Sequence, residues 1–372
     1  MIKVGVTGNN GFIGQHICNN IRLLSEEFEL IDFERSYFDD PKRLTSFVQS
    51  CDAIIHLAGI NRHDDIQFLH DTNISITEKL LTACERVQAK PKIIFSSSSQ
   101  QTEDNLYGKS KKASSDLIYN WSLDNASASA IMVIPNVFGP FGKPYYNSVI
   151  STFCHELVKG NNPTIQIDKE LKFIYIDELV EIILDEVRNI NASNVLEVSH
   201  TELSKVSEIL KLLELFKETY FFKNTIPNLN SAFQLNLFNT FRSYITHKKF
   251  FPVRLTKHED DRGAFVEIVR LGIGGQVSFS TTHPSIVRGN HFHKRKIERF
   301  AVIKGKALIQ LRKYNDGEII EFYLDGDVPS FVDMPVWFTH NIKNIGEEIL
   351  YTIFWINEAY NPETPDTYFE QV

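Results

Sequence analysis

The stretch Ile2-Lys3-Val4-Gly5-Val6-Thr7-Gly8-Asn9-Asn10-Gly11-Phe12-Ile13-Gly14 decides the architecture of the first half of the chain. Ile2–Val6 is a short apolar run rich in β-branched residues, the pattern of a strand buried on both faces. Phe12 to Leu24 reads as an amphipathic helix. Between them Gly8 permits a tight turn, Gly11 lets a phosphate approach the backbone, and Gly14 lets the helix pack close against the strand. Strand, glycine turn and helix in that order aim a helix N-terminus at a pyrophosphate. The segment is therefore read as a dinucleotide cradle, with Gly8, Gly11, Phe12, Ile13 and Gly14 as its cofactor-binding residues.

Further strand-like runs follow at Phe28–Phe33, Ala53–Leu57, Lys92–Ser96 and Ala130–Ile134, separated by amphipathic stretches such as Asn73–Val87. This alternation predicts a doubly wound α/β parallel sheet of Rossmann type. A helical stretch over Leu203–Leu215 and an aromatic-rich passage lead to a change of texture near residue 247. From Phe251 glycines punctuate short alternating strands, among them Ala307–Arg312 and Ile319–Leu324, and Asn315-Asp316-Gly317 signals a hairpin. The expectation is two domains, residues 1–247 and residues 248–372, the second a small all-β barrel or jelly roll.

A chain of 372 residues is long for one core, which agrees with two domains. The net charge of −8 and pI near 5.9 exclude a domain-scale basic surface, so no nucleic-acid partner is expected. Lys294-Arg295-Lys296 is the densest basic run, read as a solvated loop ahead of a phosphate clamp. Cys18, Cys51, Cys84 and Cys154 have no paired spacing, which points to small buried hydrophobes in a reducing compartment. No apolar run approaches the ~20 residues that span a bilayer. The first strand begins at Ile2, leaving no room for a leader peptide, so a cytoplasmic protein without a membrane partner is expected.

Tyr107-Gly108-Lys109-Ser110-Lys111 places a tyrosine and a lysine one helical turn apart. A phenol with pKa near ~10 exchanges protons poorly at neutral pH, and a cation on the same helix face would lower that value. Such a tyrosine can protonate a carbonyl oxygen as a hydride arrives at carbon. His56-Leu57-Ala58-Gly59, Asn73, Phe95-Ser96-Ser97-Ser98-Ser99 and Pro135-Asn136-Val137-Phe138-Gly139-Pro140 complete a pattern that resembles the extended short-chain dehydrogenase/reductases over about the first two hundred residues. The resemblance implies catalysis by Tyr107, Lys111 and Ser98, with Ser97 or Ser99 as alternatives for the serine. It also implies cofactor contacts at Leu57, Ala58 and Lys111, and a substrate contact at Asn136. Asp32 would favour NAD through a ribose diol, and Arg35 would favour NADPH through a 2′-phosphate. NADPH is the expectation.

In the second half, His291 and His293 are one residue apart on a strand, so their side chains share a face. Glu298 follows closely and His340 lies further along, a set that could close around one divalent metal. His291-x-His293-x4-Glu298-x6-Gly305 resembles the first motif of the cupin superfamily, and Pro335-x-Trp337-x2-His340-x3-Asn344 its second, with Trp337 standing where glycine is usual. Imidazoles with a carboxylate suit zinc, manganese, iron or nickel. Asp261-Arg262-Gly263-x-Phe265-x-Glu267 and Arg288-Gly289-x-His291 also look like stretches of the cupin-fold nucleotide-sugar 3,5-epimerases. There the histidine after Arg-Gly is a general base, so His291 is claimed by two roles; His293 and Glu298 favour ligand. Arg288 is expected at the substrate.

The whole chain, through Pro362-x-x-Pro365-Asp366-Thr367-Tyr368-Phe369, resembles the CapF family of capsular-polysaccharide enzymes. That resemblance implies a zinc-dependent barrel that epimerises C3 of a UDP-2-acetamido-2,6-dideoxy-4-hexulose. It implies a first domain that reduces the C4 ketone to UDP-2-acetamido-2,6-dideoxy-L-talose, and a homodimer. The alternatives are a single-activity ketosugar reductase with a structural or sugar-sensing barrel, or an NAD-dependent epimerase or dehydratase that uses an acid such as Glu103 or Asp104.

Overall fold

Five apolar runs of the first half become parallel strands: β1 (Ile2–Thr7), β2 (Phe28–Ile31), β3 (Ala53–His56), β4 (Lys92–Ser98) and β5 (Ser129–Ile134). With β6 (Asn136–Phe138) and β7 (Glu170–Tyr175) branching into a small separate sheet, β8 (Asn194–Glu197) completes a six-stranded sheet in the order β2-β1-β3-β4-β5-β8. The order reverses at β1, where β2 lies on one side and β3 on the other. Ligands of open α/β sheets bind in the crevice at such a switch point, beyond the carboxyl ends of the strands. Here those ends are Thr7 and His56, which pair directly.

Helices α1 (Phe12–Leu23), α2 (Pro41–Gln49), α3 (Ile66–Arg86) and α4 (Leu106–Asp124) connect these strands. Asp40, Asp65 and Asn105 cap the last three by accepting backbone N–H groups of their first turns. The cap at Asp65 starts α3 several residues before the amphipathic stretch recognised in sequence. Phe33, Phe38, Phe47, Ile54, Leu80, Phe95 and Trp121 belong to one buried cluster.

This computed structural model describes residues 1–261, 263–266, 268–271, 274–358 and 361–372. By contact the chain divides into two units, Met1–Thr152 with Gln166–Val206, and Phe153–Ile165 with Ser207–Val372. The second contains two five-stranded antiparallel sheets, the jelly-roll arrangement that its alternation predicts. One runs Val253–Arg254, Ser330–Met334, Glu298–Lys304, Leu350–Ile356, Gln276–Thr282; the other runs Ile319–Asp325, Lys306–Lys313, Phe338–Asn344, Val287–Phe292, Tyr368–Phe369. The Asn315-Asp316-Gly317 turn joins Lys306–Lys313 to Ile319–Asp325, with Asn315 at φ +60°.

Helix gives way to strand just after residue 247, whereas the contact grouping changes at Ser207. The reason lies in buried polar ties from the intervening helices to the strands. Tyr220 donates to Asp333 at 2.5 Å, and Arg299 grips the same carboxylate at 2.7 and 3.0 Å. Arg242 donates to the Met334 carbonyl at 3.1 Å, and Asn239 to the Arg295 carbonyl at 2.9 Å. Removing one partner of such a buried ion pair costs about 3–5 kcal/mol. All four cysteines are buried and free, as their spacing suggests. No described helix is long and apolar enough to cross a membrane.

Candidate functional site

The loop after β1 closes on itself. Gly8 adopts φ +75° and its carbonyl accepts the Gly11 N–H at 2.9 Å. A Cβ on Gly14 would stand 2.2 Å from that carbonyl oxygen, and one on Gly8 would stand 2.9 Å from the Ala58 nitrogen. Only hydrogen fits at either place. Gly11 is the N-cap of α1 and supplies no side-chain acceptor, and the first turn holds no acidic residue. The leading N–H groups of α1, where Phe12 and Ile13 lie, therefore suit an anion such as a pyrophosphate.

Beside this cradle, Ala58 N–H donates to the Thr7 hydroxyl at 3.3 Å, and Thr7 lies 2.7 Å from His56 Nδ1. Burial drives the His56 pKa down to about 3, so the ring is a neutral bridge to Thr77 at 3.2 Å. Asn73 clamps Ile60, just after the Leu57–Gly59 stretch, accepting from its N–H at 2.7 Å and donating to its carbonyl at 3.0 Å. Asp32 and Arg35 are exposed just beyond β2, and Arg35 opens a short 3-10 turn.

Period-two alternation along β4 separates the serines. Ser97 is buried and bonds to Gln101 at 2.7 Å and to Ser115 at 3.2 Å. Ser98 instead accepts the Gln100 N–H at 3.2 Å and bears on the Tyr107 phenol, whose pKa it pulls down. A Cβ on Gly108 would sit 2.0 Å from the Gln100 carbonyl, so glycine there lets α4 press against the turn after β4 and brings Tyr107 to Ser98. Burial raises the Tyr107 pKa to about 12, against the opposing pull of Ser98. The raised value runs against the lowering expected from Lys111, whose ammonium donates to the Ser96 carbonyl at 2.9 Å and lies 6.0 Å from the Tyr107 ring centroid. Burial in turn lowers the Lys111 pKa to about 8. Asn136 is exposed and donates to the Lys172 carbonyl at 3.0 Å. Glu103 and Asp104 are exposed and engaged by Asn105 at 3.0 Å and Lys109 at 2.6 Å.

In the second unit His291, His293, Glu298 and His340 bring one ligand atom each to within 4.8 Å of one another. His293 Nε2 and His340 Nε2 each stand 3.1 Å from one Glu298 oxygen, and His291 Nε2 stands 4.0 Å from it. Burial alone would raise the Glu298 pKa, but the two imidazoles outweigh it and hold the carboxyl ionised. His340 Nδ1 faces the Phe338 carbonyl at 3.2 Å, and His293 Nδ1 faces the Asp366 carbonyl. Each ring thus directs Nδ1 at a backbone acceptor and Nε2 inward, the tautomer a metal ligand needs. His293 Nε2, His340 Nε2 and Glu298 Oε2 are buried without a hydrogen-bond partner. Orphaned buried atoms converging from three side chains, with His291 beside them, fit a divalent cation.

A bulge tunes this face. Gly289 pairs with Asn341 and His291 with His340, leaving Asn290 extra at φ +61°. Arg288 and His291 are three apart and would lie on opposite faces of a regular strand. The bulge sets them opposite Ile342 and His340, on one face. Trp337 explains the departure from glycine in the second motif. It takes φ +63°, the left-handed conformation that glycine adopts freely, and its ring stacks on Phe292 at 5.5 Å. Asn344 braces a turn by donating to the Thr282 and Glu348 carbonyls at 2.8 and 2.7 Å. Of the stretch Asp261–Glu267, Arg262 and Glu267 lie outside the described residues. Asp366 was not singled out as a functional residue in the sequence; a buried acid among the prolines near the chain end was its only signal.

Residues 4–198 match the NAD dependent epimerase/dehydratase family, and residues 258–368 match the polysaccharide biosynthesis C-terminal domain. The chain is 32% identical to a UDP-2-acetamido-2,6-beta-L-arabino-hexul-4-ose reductase of Pseudomonas aeruginosa, over 99% of this chain and 98% of that protein. The crystal structure of the capsular polysaccharide assembling protein CapF from Staphylococcus aureus is similar over 100% of both chains, with 32% identity and a TM-score of 0.63. A stretch of the chain is also similar to the spore coat polysaccharide biosynthesis protein SpsL of Bacillus subtilis, 31% identical over 30% of this chain and 82% of that protein.

Proposed function

The chain belongs to the CapF-like family, an NAD dependent epimerase/dehydratase domain followed by a polysaccharide biosynthesis C-terminal domain, and on that premise we propose a bifunctional nucleotide-sugar enzyme. The barrel epimerises C3 of a UDP-2-acetamido-2,6-dideoxy-4-hexulose, and the first domain then reduces the C4 ketone to UDP-2-acetamido-2,6-dideoxy-L-talose for capsular polysaccharide synthesis. One observation carries this. A Ser98–Tyr107 pair with buried Lys111, and a separate cluster of three histidines and Glu298, coexist in one chain, and each suits a different half of the chemistry. The full-length P. aeruginosa relative, named as a hexul-4-ose reductase, supports the reduction.

Bound NADPH supplies the hydride, and a divalent ion, zinc by resemblance, supplies positive charge that favours proton loss beside a ketone. The chain does the rest. Gly8, Gly11 and Gly14 would hold the pyrophosphate at α1, with Leu57 and Ala58 as further cofactor contacts and Arg35 as the partner of a 2′-phosphate. Tyr107, protonated at neutral pH by its raised pKa, gives its proton to the C4 oxygen while Ser98 donates to the same oxygen. Lys111, buried 6.0 Å from the Tyr107 ring centroid, would steady the phenolate that remains and help to hold the cofactor. Arg288 and Asn136 bind the nucleotide sugar at the two sites. His291, His293, Glu298 and His340 hold the ion. The enzyme works as a homodimer in the cytoplasm.

Two variants test the division of labour. Tyr107→Phe should lower NADPH oxidation about 10²–10⁴-fold, the usual worth of a general acid, while deuterium still enters C3 from solvent. His340→Ala should stop C3 exchange and leave reduction of a 4-ketosugar measurable. Loss of both activities in either folded variant would contradict separate sites.

A further inference from the structure

Lys294-Arg295-Lys296 is neither a solvated loop nor a phosphate clamp, because the C-terminal segment occupies it. The Arg295 guanidinium reaches Glu358 at 2.8 Å and the Thr364 carbonyl at 3.0 Å. The Lys296 ammonium is buried and donates to the Pro365 carbonyl at 2.5 Å. The buried Asp366 carboxylate accepts three successive backbone N–H groups, from Lys294 at 3.1 Å, Arg295 at 3.0 Å and Lys296 at 3.0 Å. The carbonyl of the same residue receives His293 Nδ1.

Asp366 therefore acts on two parts of the cation cluster at once. Its carbonyl sets the tautomer and orientation of one ligand ring. Its carboxylate fixes the turn of backbone that separates His293 from Glu298. Hydrogen bonds to an ionised acceptor are roughly twice as strong as neutral ones, and successive N–H groups around one anion make a rigid concavity. Asp366 holds φ +43°, a conformation that an aspartate keeps only where its surroundings enforce it. Tyr368 and Phe369 continue the segment as a short strand paired to Phe292 and His291, so the latch is tied to the strand of a third ligand.

We propose that Asp366 is a positioning residue that latches the metal loop, so that the C-terminal segment governs how fast a divalent cation leaves the barrel. The inference rests on the reading that His291, His293, Glu298 and His340 hold such a cation. Partners of this outer kind typically change metal affinity about 10–100-fold.

The experiment uses full-length protein loaded with zinc and challenged with excess chelator, following release by a colorimetric zinc indicator. Wild type should retain one zinc per chain, and Asp366→Ala should release it about 10–100-fold faster. Both variants keep the backbone carbonyl that meets His293; Asp366→Asn also keeps one side-chain acceptor oxygen and should fall between the two. The rise in melting temperature caused by zinc should shrink in the same order, which a role confined to folding would not produce. Wild-type release rates in both folded variants would overturn the latch while leaving the metal site intact. Should Asp366→Ala fail to fold, Asp366→Asn decides alone. A wild-type protein that binds no zinc would overturn the metal reading and the latch with it.

Discussion

Tyr107 and Lys111 stand four residues apart on one helix, whereas His291 and His340 meet from different strands across a bulged pairing. The first arrangement is assembled by local geometry: a turn of α4, a glycine that lets it approach β4, and the alternation that presents Ser98 rather than Ser97. The second exists only after two sheets have formed and a C-terminal segment has bound the loop between ligands. The reductase pair needs backbone precision over a few residues, while the cation cluster needs most of the barrel. Damage to the first should therefore stay local, and the second should respond to changes far away in sequence.

The largest effect on cofactor binding is expected from Gly14→Ala. Its Cβ would meet the Gly8 carbonyl at 2.2 Å, with backbone on the other side and no flexible side chain to give way. Such overpacking costs about 1–3 kcal/mol, which at 1.4 kcal/mol per decade weakens NADPH binding about 5- to 150-fold. Titration by fluorescence should read that loss, while C3 exchange by the barrel stays at the wild-type rate. Coupled losses of equal size in both activities would break the comparison.

A smaller effect should appear in the pH profile. Burial lowers the Lys111 pKa to about 8, so its charge is lost as pH rises through that value. NADPH oxidation should decline above about pH 8, and C3 exchange should not follow the same curve. The sign for stability is opposite. The unfolded lysine, with pKa near ~10.4, binds more protons between the two values, so this group adds stability as pH rises from about 8 to ~10.4. A reduction rate that holds flat to pH 9 would show that Lys111 is not charged by need.

Much of the first unit was legible because its signals are short-range. Ile2–Val6, Ala53–Leu57 and Ala130–Ile134 were within one residue of their strands, since buried parallel strands read as plain apolar runs. The start of α3 was hidden because Ile66 to Asp71 lacks clear periodicity, and only the Asp65 cap marks it. The four ligand candidates in the barrel were found by spacing, yet what supports them was not. Asp366 acts on residues some seventy positions earlier, and no local pattern announces that. Trp337 looked like a flaw in a motif, although the backbone supplies the left-handed turn that the position requires. Helical spacing puts Lys111 and Tyr107 on one face, but it gave no sign of the Ser96 carbonyl that receives the ammonium.

The central claim is that one chain sets a stereocentre and then removes the neighbouring ketone. Proton NMR of a UDP-4-keto-6-deoxy-N-acetylhexosamine in deuterium oxide with zinc-loaded protein, NADPH first withheld and then added, tests it most directly. The account predicts deuterium at C3 before NADPH is added and a single talo-configured alcohol afterwards. Reduction with no prior exchange at C3 would contradict it and leave a ketosugar reductase whose barrel does no chemistry.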